Sequence, residues 1–66
     1  MSSRESCRMI ALRVRCGDLV RVWGRWLEVT AVRDDRFAAG GPAVVLTFDE
    51  GPAMRVHAAD ELAVER

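Results

Sequence analysis

Sixty-six residues with ten arginines, no lysine, ten carboxylates and one histidine make a single small domain of zero net charge. That balance argues against a non-specific nucleic-acid binder, which carries an excess of positive charge. Cys7 and Cys16 form no C-x-x-C pair, and with one histidine they build no zinc framework.

No apolar run is long enough to cross a membrane. The run Met9 to Leu12 is too short for a signal peptide and meets Arg13 and Arg15. The expectation is a soluble, cytoplasmic, reduced protein. Arginine to the exclusion of lysine, with abundant Ala, Gly and Val, points to GC-rich codons of the kind expected of an actinobacterium, its phages or its plasmids. The charge is uneven: residues 1–36 carry +3 and residues 37–66 carry −3. A chain of this size buries only about 60% of its unfolded surface, so stability is expected to be marginal.

Residues 1–9 read as a flexible N-terminal tail, and residues 10–66 as one folded domain. Ile10 to Arg15 alternates and predicts a short strand, broken at Cys16-Gly17-Asp18. Leu19 to Trp23 predicts a second strand with Val20 and Val22 inward. Gly24-Arg25 predicts a tight turn, and Trp26 to Arg33 the returning strand. In that strand simple alternation fails. A β-bulge near Thr30 is expected to bring both Val29 and Val32 inward and to bend the strand.

Arg33 to Pro42 predicts the longest loop. Ala43 to Phe48 predicts a strand with Val44, Leu46 and Phe48 inward. Asp49-Glu50-Gly51-Pro52 predicts a connection, and Ala53 to His57 the return with Met54 and Val56 inward. Ala58 to Glu61 suits one turn of 3₁₀ helix, and Leu62 to Glu65 a last short strand.

The order of these pieces resembles SH3-like small barrels, the group that includes Tudor and KOW-type modules. The resemblance rests on Gly17-Asp18-x-Val20-x-Val22, Val29-x-x-Val32, Val44-x-Leu46-x-Phe48 and the Ala58-to-Val64 ending, and covers about residues 11–65. It implies an all-β fold: a single SH3-like barrel of five to six short antiparallel strands, with the 3₁₀ turn before the last. It implies no particular activity. The tyrosine-bearing signature of proline-ligand SH3 domains is missing, and the KOW glycine pattern is incomplete.

No complete catalytic set can be assembled, so no enzymatic activity is expected. A Cys–His nucleophile pair would need Cys16 or Cys7 to meet His57. Asp34-Asp35 and Asp49-Glu50 read as solvated turn acids, and Gly40-Gly41-Pro42 lacks the rest of a phosphate loop. No cofactor or metal is expected.

What rises above this background is an aromatic-basic cluster: Arg21, Trp23, Arg25, Trp26 and Arg33, with Arg36 following. Trp23 is expected to be exposed and Trp26 to be the core residue of the two. An indole framed by guanidinium groups would stack a base while arginines hold phosphates. The leading expectation is therefore a small nucleic-acid-associated binding module. The alternative is a protein-interaction or homo-oligomerisation module, of a kind a phage could carry, that uses the same Trp- and Arg-rich surface.

Overall fold

A computed structural model of the chain describes residues 6–66; the tail reading for residues 1–5 lies outside them. Six strands follow one another: β1 (Ser6–Ile10), β2 (Leu19–Val22), β3 (Arg25–Arg36), β4 (Pro42–Phe48), β5 (Met54–His57) and β6 (Glu61–Glu65). They form one antiparallel sheet in the order β1-β6-β2-β3-β4-β5. Among the described residues no ladder joins β1 to β5, so the sheet is open and barrel closure is not seen. The class is all-β, as the alternating valines require.

Strand pairing begins earlier than the tail reading allows. Residues 6–10 pair with β6 from Ser6↔Glu65 to Ile10↔Glu61, and Ala11–Arg13, expected to continue a strand, form a 3₁₀ turn. The N–H groups of Ala11 and Leu12 donate to the carbonyls of Asp60 (2.7 Å) and Ala58 (3.1 Å). The 3₁₀ turn therefore precedes β2, not the last strand. Before β6 there is instead a single turn, in which the Asp60 N–H donates to His57 (3.0 Å) and the Asp60 carboxylate accepts from the His57 N–H (3.2 Å).

The bulge is where the sequence predicts it. The β3–β4 register slips between Val29 and Ala31, leaving Thr30 as the extra residue, and its hydroxyl donates to the Thr47 carbonyl (3.2 Å). Val29 is fully buried, but Val32 is 36% exposed, contrary to expectation. Val32 does sit opposite buried Leu46. However, β2 pairs with β3 only as far as Glu28, so Val32 has β4 on one side and no strand on the other.

The bulge divides the sheet into two halves: β1, β6, β2 and the start of β3, then the rest of β3 with β4 and β5. Their inward rows meet in one aliphatic core. Val20, Val29, Val44, Leu46 and Val64 are its largest fully buried side chains, with Phe48 and Leu27 nearly so. Each such side chain contributes about 1.5–3 kcal/mol of burial. Buried Asp18 ties Arg66 to the turn before β2, accepting from the Arg15 N–H (2.9 Å) and from Arg66 Nε (3.1 Å).

Candidate binding site at the β2–β3 hairpin

The ladder of β2 with β3 closes on Val22↔Arg25, so the two turn residues are Trp23 and Gly24, not Gly24 and Arg25. Their φ values of 51° and 77° are both positive, as a type I′ hairpin requires. A register two residues away would leave Val20, Val22, Leu27 and Val29 on the same inner face, so hydrophobic alternation permits both. Glycine in the second turn position is the local signal for the observed register.

Trp23 projects from this tip at 73% exposure. Arg21 pairs across the strands with Trp26 on the outer face, opposite the row that carries Val20 and Leu27. Trp26 is half-buried and stands outside the core cluster, which corrects its expected core role. The reason is parity: with Leu27 and Val29 inward, Trp26 must face out. Arg25 is ion-paired with Glu50 of the β4–β5 connection, both side chains largely exposed. A pair so exposed contributes at most about 1 kcal/mol.

Arg33 and Arg36 do not join this group. The expected loop from Arg33 to Pro42 is mostly strand: Arg33–Arg36 pair with Pro42–Val45, and only residues 37–41 form the turn. Arg33 lies opposite Val45, which in turn lies opposite Arg55, and Arg36 lies opposite Pro42. At roughly 3.3 Å per residue, Arg36 is on the order of 35 Å along the strand from Arg25.

On this half Asp35 and Arg55 are already engaged with each other. Asp35 accepts from the Arg36 N–H (2.8 Å) and is bridged to Arg55 Nη2 (2.9 Å). The Arg36 N–H, with the Arg55 and Arg33 guanidiniums and against some desolvation, holds the Asp35 carboxyl below its ordinary value.

The remaining candidates separate. The Cys16 thiol lies against the Thr30 carbonyl (3.5 Å). The His57 ring lies against Phe37, with centroids 4.1 Å apart and a tilt of 34°. Neither is the other's partner. Among the described residues no group of three or more His, Cys, Asp or Glu side chains could hold a metal ion, and no helix is long and apolar enough to cross a membrane. The site that remains is therefore small: Trp23 at the tip, the Arg21–Trp26 pair on the outer face, and Arg25 beside the turn at the exposed end of the row that carries Leu27 and Val29. The chain matches no protein-family model, no curated protein and no solved structure.

Proposed function

We propose that this chain is a small non-enzymatic binding module of SH3-like barrel type that holds single-stranded nucleic acid on its β2–β3 hairpin. The barrel assignment is supported by the β6-β2-β3-β4-β5 order and by the bulge in β3.

One observation carries the functional reading. Trp23 is both exposed to 73% and held at a φ of 51°. Exposure sacrifices the burial an indole normally gains, and a bulky residue at positive φ is strained. Two local costs on one side chain are the mark of a position kept for contact. Trp23 stacks a base, Trp26 offers a second face, and Arg21 and Arg25 reach phosphates. A cytoplasmic setting goes with this reading, since the exposed thiols of Cys7 and Cys16 are free.

A protein partner is the second reading. It is favoured by zero net charge and by the Arg25–Glu50 pair, which already satisfies one of the two tip arginines. Salt separates the two readings. Two phosphate contacts on a single strand give a log–log slope of affinity against salt of about −1.4, whereas an apolar protein contact changes little.

The test is a tryptophan fluorescence titration with short single-stranded and duplex oligonucleotides at two salt concentrations. Salt-sensitive quenching that disappears in a folded Trp23→Ala variant is the expected result. An unchanged spectrum at low salt overturns the nucleic-acid reading and turns attention to protein partners.

A further inference from the structure

A second basic feature lies at the opposite end of β2 from the tryptophan tip. A cavity of about 420 Å³ is lined by Leu12, Arg13, Arg15 and Arg66. Three guanidinium-bearing residues around one concavity repel one another unless an anion or fixed carboxylates offset them. One carboxylate is present. Asp18, with its side chain only 10% exposed, accepts from Arg66 Nε (3.1 Å) and Nη2 (3.3 Å) and from the Arg15 backbone N–H (2.9 Å).

Those bonds fill Asp18 and fix Arg66, whose Nη2 also donates to the Arg13 carbonyl (3.2 Å). Asp18 therefore neutralises Arg66 and makes no ion pair with Arg13 or Arg15. Among the described residues neither guanidinium has a carboxylate within salt-bridge distance. An adjoining cavity of about 370 Å³ shares Arg13, but its Arg8 is already paired with Glu61 (3.5 Å).

We infer that the Arg13–Arg15–Arg66 cavity is a binding site for a dianionic phosphate group, inorganic phosphate or a monoester. Two guanidiniums with no ion-pair partner among the described residues match a group carrying about two negative charges at neutral pH, as inorganic phosphate or a monoester does and a diester does not. Arg66 spends its Nε and Nη2 hydrogens on Asp18 and the Arg13 carbonyl, which leaves Nη1 as a fixed donor beside the exposed Arg13 and Arg15, and guanidinium geometry suits phosphate oxygens. The phosphate is either inorganic or the terminal phosphate of a strand. The site stands apart from the hairpin reading, because neither tryptophan lines it.

The test follows arginine Nε–Hε resonances by NMR at low salt. The probes are inorganic phosphate, a 5′-phosphorylated oligonucleotide and the same oligonucleotide with a 5′-hydroxyl. Saturable shifts at Arg13 and Arg15 with inorganic phosphate are expected, weakened about tenfold by Arg15→Gln through loss of one charge-assisted hydrogen bond. Arg13 and Arg15 are exposed, so the Gln variants should fold.

A preference for the phosphorylated over the hydroxyl oligonucleotide identifies a strand end as the source. Equal affinity for the two, with phosphate still binding, identifies free phosphate. The proposal is overturned if millimolar phosphate and the phosphorylated strand leave both resonances unmoved. It is also overturned if the Arg13→Gln/Arg15→Gln double variant binds as well as the parent. Quenching of Trp23 is read in a separate titration, so failure of either idea is visible by itself.

Discussion

Trp23 occupies a turn position that asparagine or glycine fills at lower cost. Both central residues of a type I′ turn need positive φ. Gly24 adopts its 77° freely, whereas an L-residue such as Trp23 at 51° loses about 1–2 kcal/mol. Trp23→Asn is therefore expected to raise unfolding free energy by about 1 kcal/mol, read as a higher urea midpoint at unchanged slope. The same variant should lose oligonucleotide-induced quenching at the tip. A variant no more stable than the parent would show that the tip is unstrained and remove the main support for a functional tryptophan. The exposed position of Trp23 could be read in the sequence, since the valines of β2 set which side faces inward. Alternation could not set the turn register, because a slip of two residues leaves every side chain on the same face; only the glycine in the second turn position marks it.

Among the elements, β3 carries the most consequence. Its twelve residues belong to both halves of the sheet, and the slip at Thr30 is what turns one half toward the other. Deleting Thr30 keeps Val29 opposite Phe48 and Ala31 opposite Thr47 but removes the bend. The two inward rows then meet less completely, and a loss of about 1–3 kcal/mol is expected in chemical denaturation. Equal stability of the deletion would show that the bend does not organise the core.

The bulge was legible because alternation visibly fails between Val29 and Val32. The continuation of β3 through Asp34-Asp35 was not. Adjacent acids favour turns locally, and here Arg55, paired with Asp35 from β5, compensates them at a distance in sequence that no local pattern reports.

For the whole molecule, a chain of sixty-six residues is expected to have a total stability of about 3–10 kcal/mol. Leu46 is fully buried at the meeting of the two halves. Leu46→Ala is expected to cost about 2–5 kcal/mol, a large share of that total, read as a thermal midpoint lowered by roughly 10 degrees or more. A shift of the midpoint by only a degree or two would mean that the core does not depend on this contact.

Composition and alternation were sufficient for the all-β class, the inward rows of β2 and β4, the bulge and an exposed Trp23. Each follows from a period of two and from local turn chemistry, which a short window of residues contains. Strand pairing of residues 6–10 with β6, the open sheet, the outward Trp26, the separation of Arg33 and Arg36 from the hairpin, and the gathering of Arg13, Arg15 and Arg66 around a cavity arose only in three dimensions. Those features depend on register and on contacts between distant segments, such as Asp18 with Arg66 across 48 positions. Long-range pairing is selected by the packing of the whole core, and no local stretch of the chain specifies it.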